Sequence, residues 1–438
     1  MVLLKQVRFG YRLALAIGEK HWKVLGLSVL IGLSTFFWGP RALEWLATLK
    51  TERIGLVGRY QIDNLPEEVL KTMGRGLTKT NKEGEAEGDL AASWEIKQDG
   101  REYLFTLKDG LFWNDGKLVK TGEIDCNLTD VTMEVVGEKQ IKFWLRESYS
   151  PFPIILAKPI FKGRLIGVGD YKLRQIKLNG QIVMEIKIEP KDKQKLKKIY
   201  RFYPTDSAAR TAFKLGEVDR LDNLEELGEL ANWENIKKES SEARNQIVSL
   251  IFNTQEPALS NKSTRQALAY AIKKEGWERA ISPILPQSWA FNPNVKPYNF
   301  DLEKAKQLLQ KGNEIKEIEL QTAPLLVKTA EAIKKDWQEL GIETKIKAIN
   351  RLDGNFQVML IVQEVPIDPD QYALWHSTQR ANLSRLKNPK IDKLLEDGRK
   401  TADLNERKEI YLDFQKTLVE ETPAIFLFYP TLYTISRV

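Results

Sequence analysis

The chain has 438 residues, 42% of them hydrophobic and 29% charged, with one cysteine, two histidines and a net charge of +7. That length exceeds a single small core and predicts two or three lobes of ordinary globular composition. Cys126 alone excludes an internal disulfide and a multi-thiolate zinc site, and His21 and His376 leave poly-His metal sites and Ser-His-Asp machinery short of material, apart from constellations built on His376.

The charge is uneven. Residues 1–53 hold eight Lys/Arg against three Glu, whereas the rest of the chain holds 59 basic and 57 acidic residues. A nucleic-acid binder carries its basic stripe on the folded body, so this distribution argues against such a partner, and KDKQKLKK (191–198) reads as a solvated face. Within the basic segment, VLGLSVLIGLSTFFW (24–38) has no charge and is flanked by Lys23 and Arg41. Fifteen helical residues cover about 22 Å, less than a hydrocarbon core of about 30 Å. Trp22 and Trp38 bracket the run, five Lys/Arg precede it, and no small-x-small cleavage site or nearby cysteine follows. We read a retained single-pass membrane anchor with the body outside the cytoplasm; a buried core helix is the other reading.

From residue 54 onward strands and helices mix. In LAASWEIKQDGREYLFTLKDGLFWNDGK (90–117) two alternating strands flank Gln98-Asp-Gly, with Tyr103, Phe105 and Leu107 on one face, and Asn114-Asp115-Gly116 marks a second turn. QIKFWLRE and QIVMEIKIE are further strands, and SAARTAFKLGEVD (207–219) is a helix capped by Ser207 that ends at Gly216. IVSLIFNT (247–254) is apolar throughout, as a strand covered on both faces would be. Residues 263–280, 301–312 and 328–341 show helical periodicity, and the last leads into the strand IETKIKAI, the alternation of an α/β domain. Helices follow in PKIDKLLEDGRK and LNERKEIYLDFQKTLVEE, and PAIFLFYPTLYTISRV reads as strand.

DPDQYALWHSTQ (368–379) concentrates two acids and three aromatic rings, one of them His376, one of the two histidines. Asp368 and Asp370 suit the amino end of a short helix, where free N–H groups favour negative charge; direct ligand contact is the alternative. Trp375 and His376 read as packing residues, His376 either as a satisfied buried imidazole or as a polar contact in a cleft.

The order of these pieces resembles the large solute-binding proteins of ABC importers, in the oligopeptide/dipeptide/nickel-binding family. RGLTKTNKEGEAEGDLAASW carries the Gly-Leu loop and hairpin signature, GVGDYKL the Gly-rich turn, and AFKLGEVD a helix end. FNTQEPALSNKSTRQALAYAIKKE is similar to the crossover segment, and the block from DPDQYALWHSTQ to ETPAIFLFYP closes the series over most of 66–435. The chain departs from that pattern after KTGEID, where it passes almost directly to a strand in place of a helical subdomain, and at LIVQEVPIDPD, where Gln363 stands about where Trp is expected and Glu364 fits the family's acid only with a one-residue gap.

The resemblance implies an α/β fold of the two-lobed periplasmic-binding-protein type: lobe one formed by 54–248 with 424–438, lobe two by 249–423, with crossings near 247–253 and 421–426. It implies a receptor without enzymatic activity or cofactor, monomeric, that captures short peptides or another small solute between the lobes for an ABC permease and its ATPases. Glu364 is the nearest acid for a peptide ammonium, and as a buried carboxylate it would need such a partner. Gly76 and Leu77 belong to the loop at the cleft mouth, and Arg75, Asn253, Trp289, Asp368 and His376 complete the candidate ligand contacts, with Arg265 read as a structural salt bridge. The same scaffold acting as a sensor or assembly protein, and a carboxylate hydrolase on Asp368/Asp370, are the competing readings, while few histidines count against nickel or haem.

Overall fold

The computed structural model describes Lys23, residues 27, 28, 30–34 and 36, and residues 51–438 apart from 127, 164, 244, 277 and 350–353. A seven-stranded sheet runs from edge to edge through Ile236–Glu242, Thr431–Arg437, Arg220–Leu224, Thr51–Val57, Lys197–Tyr203, Ile182–Pro190 and Tyr171–Asn179. Its central strand Thr51–Val57 is parallel to both neighbours. Alternation sends Ile54, Leu56, Tyr200 and Phe202 into one apolar cluster and Val57 and Tyr203 against another, so the sheet is covered on both faces.

A smaller sheet of Ala91–Lys97, Glu102–Leu107, Gln140–Leu145 and Val131–Val135 stands between residues 77 and 168. Tyr103, Phe105 and Leu107 do share its buried face. Phe143 meets Phe105 edge-on at 5.7 Å and Phe152 at 5.3 Å, an aromatic core suited to a small sheet. Where a helical subdomain was missing from the sequence, the chain makes the hairpin Val131–Val135 to Gln140–Leu145.

The second large body is a five-stranded sheet in the order Glu343–Ala348, Glu317–Thr322, Val358–Glu364, Gln246–Phe252 and Ala424–Phe428. Six of the seven residues of Gln246–Phe252 are buried, as its unbroken apolar run requires. Because that run and AIFLF are neighbouring strands of this one sheet, the chain changes sheets outside them. The passages lie at 243–245 and 429–430, not at 247–253 and 421–426, and Ala243 N–H donates to the Pro430 carbonyl at 2.8 Å.

Three local expectations shift. The helix at 207–219 is Asp206–Lys214, capped by Thr205, whose hydroxyl accepts from Ala208 N–H at 3.2 Å. The helix read over 263–280 is Lys262–Tyr270 only. Arg265 makes no ion pair of the expected kind: buried, it donates to the carbonyls of Leu259, Ser260, Glu421 and Thr422 at 2.6–3.0 Å.

Most of the apolar run 24–38 lies outside the described residues. Leu27, Leu30 and Leu33 are helical and 59%, 65% and 49% exposed, which corrects the buried-core-helix reading. Among the described residues no helix is long and apolar enough to cross a membrane.

Candidate functional site

The two-stranded hairpin Thr78–Thr80 and Ala86–Gly88 projects from lobe one. Its turn is braced by Asn81, whose Oδ1 accepts from Glu83 N–H at 3.0 Å and Glu85 N–H at 2.8 Å. The hairpin tip rests on lobe two. Trp289 N–H donates to the Glu83 carbonyl at 2.9 Å. Gly84, at φ +86°, lies so near that a Cβ there would stand 3.4 Å from the Ile367 carbonyl oxygen. Only glycine adopts that backbone readily.

Beside this contact lies a cavity of about 330 Å³ whose walls come from both lobes. Thr80, Asn81, Lys82 and Gly84 form one side; Leu285, Gln287, Ser288 and Ile367 form the other, with Asn245 from the first crossing.

A second seam joins the lobes at the DPD turn. Ser150 N–H donates to the Arg399 carbonyl at 2.7 Å, Ser148 Oγ to the Lys400 carbonyl at 3.1 Å, and Ser150 Oγ to the Thr401 carbonyl. Arg399 Nε donates to Asp370 Oδ2 at 3.1 Å, and the Tyr149 hydroxyl reaches the same oxygen at 3.4 Å. The Arg399 guanidinium lies 4.9 Å from the Tyr149 ring centre and 4.3 Å from that of Tyr372, which stacks on His376 at 4.1 Å. Rings and cation thus form a layered stack from one lobe into the other. Burial pushes the Asp370 carboxyl above its ordinary range, against the pull of Arg399, and pushes the Tyr149 phenol up to about 12.

The acids of this turn also work locally. Asp370 Oδ1 accepts from Tyr372 N–H at 3.0 Å, at the start of the short helix Tyr372–Trp375. Asp368 Oδ1 accepts from Asp370 N–H at 2.9 Å. Asp368 is also held by Arg407 in a two-pronged pair at 2.6 and 2.9 Å, both side chains buried. His376 is buried too, with Nδ1 2.8 Å from Thr378 Oγ1 and Nε2 3.3 Å from Glu396 Oε1.

Several other candidates stand away from the cavity lining. Arg75 pairs with Asp89, its Nε 2.8 Å from Oδ1. Leu77 is fully buried in the core of the small sheet, and a Cβ on Gly76 would collide with the Leu156 carbonyl oxygen, so this loop is packed rather than open. Asn253 is buried and donates to the Phe356 carbonyl at 3.0 Å. Trp289 touches the hairpin through its backbone and lies edge-on to Tyr411 at 6.4 Å. Glu364 is exposed at the end of its strand, opposite Gln246, which corrects the expectation of a buried carboxylate in need of a partner. The residues that line the cavity instead, Lys82, Asn245 and Ser288 among them, come from separated segments. Asn81-Lys82-Glu83-Gly84 has the composition of a turn, a local signal that could have pointed to Lys82.

The family model described as bacterial extracellular solute-binding proteins, family 5 middle, matches residues 120–383. The chain belongs to this family.

Its members are receptors and not enzymes. This family 5 protein is 24% identical to the dipeptide-binding protein of Escherichia coli, over 78% of this chain and 81% of that one. It is 23% identical to the oligopeptide-binding protein OppA of Bacillus subtilis, over 87% of each. Among solved structures, NikZ from Campylobacter jejuni in complex with Ni(L-His) aligns with a TM-score of 0.71 at 25% identity, covering 88% of this chain and 94% of that one. The α/β two-lobed fold is therefore that of the periplasmic binding proteins.

Proposed function

We propose that this protein is the extracytoplasmic receptor of an ABC importer, taking up a short peptide or similarly small solute between its lobes and presenting it to a permease driven by ATPase subunits. The observation that carries this reading is the cavity with walls from both lobes. A solute seated there touches lobe one and lobe two together only when they are closed, and such differential contact is what shifts a hinged protein towards closure. At about 330 Å³ the space lies at the low end of the range for small-molecule sites, which favours a dipeptide-sized solute. The lobes divide at 243–245 and 429–430, and the protein acts as a monomer.

The same reading keeps the amino-terminal run as a single-pass anchor. Exposed Leu27, Leu30 and Leu33 on a helix call for an apolar cover, and a bilayer supplies one. The full chain is then expected to stay with membranes after alkaline carbonate extraction, while residues 54–438 are released.

The test of capture is to purify residues 54–438 from cells and analyse what accompanies them by mass spectrometry. One solute or a narrow peptide set, bound at one equivalent and restored after unfolding and refolding, is expected. A preparation that is empty and shows no thermal shift with any di- to pentapeptide pool refutes it.

A further inference from the structure

The cavity between the lobes has a sign. Among its described lining residues Lys82 is the one with a charge, and no carboxylate lines it. The acids nearest in sequence are turned to other work or stand outside. Glu85 Oε2 accepts from Asn81 Nδ2 at 3.1 Å, and Glu83 and Glu364 are exposed and form no part of the lining. The rest of the polar lining is hydroxyl and amide, from Thr80, Asn81, Asn245, Gln287 and Ser288.

An exposed lysine is ordinarily a solvated surface charge of little consequence. Lys82 differs in its mounting. It stands in the turn that Asn81 braces, next to Glu83, whose carbonyl is fixed to Trp289 of the other lobe. Its backbone is therefore held at the interlobe seam, and the residue lines the cavity, whenever the lobes are closed. A free peptide ammonium at this cavity would meet a like charge and no carboxylate, whereas an anion would find a cation on one wall and neutral donors on the other.

We propose that the solute is recognised through an anionic group, in the simplest case the terminal carboxylate of a dipeptide, seated between Lys82 of lobe one and the polar Asn245 and Ser288 side of the cavity, with its amino group left unread. The inference rests on the capture reading and specifies its ligand class. A charge-assisted hydrogen bond from Lys82 to a carboxylate strengthens as closure excludes water. It exists only in the closed form, so the recognition contact and the closing contact are one.

Native mass spectrometry of residues 54–438 with an equimolar set of the twenty Ala-X dipeptides tests this, using three forms of the set: unmodified, amino-terminally acetylated and carboxyl-terminally amidated. Acetylation is expected to change the affinity of the best binder less than threefold, and amidation to weaken it at least tenfold. Lys82→Met should weaken the unmodified form by a similar factor and leave the amide no weaker than before, with Lys82→Arg retaining most of the affinity. Unmodified and amidated peptides bound equally, loss on acetylation, or unchanged binding in Lys82→Met each overturns the anionic assignment while capture stands. If no form binds and nothing co-purifies, capture fails and this inference fails with it.

Discussion

At the scale of single residues, the Asp368–Arg407 pair governs the end of the strand that leads into the DPD turn. Both groups are buried, and the fork geometry satisfies both carboxylate oxygens, while Arg407 Nε donates to the Gly398 carbonyl at 2.7 Å. Removing one partner strands a charge away from water. Asp368→Asn or Arg407→Met should each cost about 3–5 kcal/mol of stability in urea unfolding, and the Asp368→Leu/Arg407→Met double variant far less than the sum of the single changes. Additive losses would mean that the two groups do not act as a unit. The sequence showed that these acids suit a helix start, and Asp370 does accept from Tyr372 N–H. It did not show Arg407, 39 residues on and on another helix, because a tertiary partner leaves no trace in local spacing. Nor did it show that Glu364 is exposed: alternation along a strand identifies two faces but does not say where the neighbouring strands stop.

At the scale of elements, the helix Lys262–Tyr270 ends where the periodicity does not. Lys274 folds back, donating through Nζ to the carbonyls of Ala269 at 2.7 Å, Ile272 at 3.0 Å and Tyr298 at 2.8 Å. The amine there meets carbonyls that further helix would otherwise have engaged. Burial, with a small push from Arg279, lowers the Lys274 pKa to about 7 from its ordinary 10.5. Between those values the unfolded chain holds the proton and the folded chain gives it up. This group therefore makes the fold more stable as pH rises from about 7 to about 10, by roughly 1.4 kcal/mol per pH unit at most. Below pH 7 it contributes no slope. Urea unfolding at pH 7, 8 and 9 should show the wild type gaining on Lys274→Met across the series; parallel curves would place the lysine in its ordinary range. Element type was legible because hydrophobic period survives in one sequence, as in the strands around Gln98-Asp99-Gly100. Element length was less so, because a single side chain returning to the backbone ends a helix without altering the period before it.

At the scale of the molecule, the order of motifs identified the two lobes, but the contacts between them depend on residues that only the fold brings together. Lobe one reaches lobe two through the hairpin tip at Glu83 and through Ser148, Tyr149 and Ser150 at the end of the helix Pro389–Lys400. The second contact uses no solute. Arg399 is paired with Asp370 of its own lobe and sits between Tyr149 and Tyr372, so the part of it that crosses between the lobes is its contact with the Tyr149 ring. At one-third exposure of the Arg399 side chain, that one cation–ring contact contributes on the order of 0.5–1 kcal/mol, or roughly two- to fivefold in the closed-to-open ratio. Arg399→Ala should then enlarge the radius of gyration of the solute-free protein in X-ray scattering. It should also weaken capture of a co-purified solute, up to about fivefold, because apparent affinity scales with the fraction already closed. Tyr149→Phe, which keeps the ring and loses only the 3.4 Å contact to Asp370, should change neither quantity much. Saturating solute should return Arg399→Ala to the wild-type dimensions, since the cavity contacts remain. Scattering curves for wild type and Arg399→Ala that coincide without solute would show that the Arg399 side chain does not govern opening, and closure would then rest on the hairpin, the Ser148 and Ser150 hydrogen bonds and the solute.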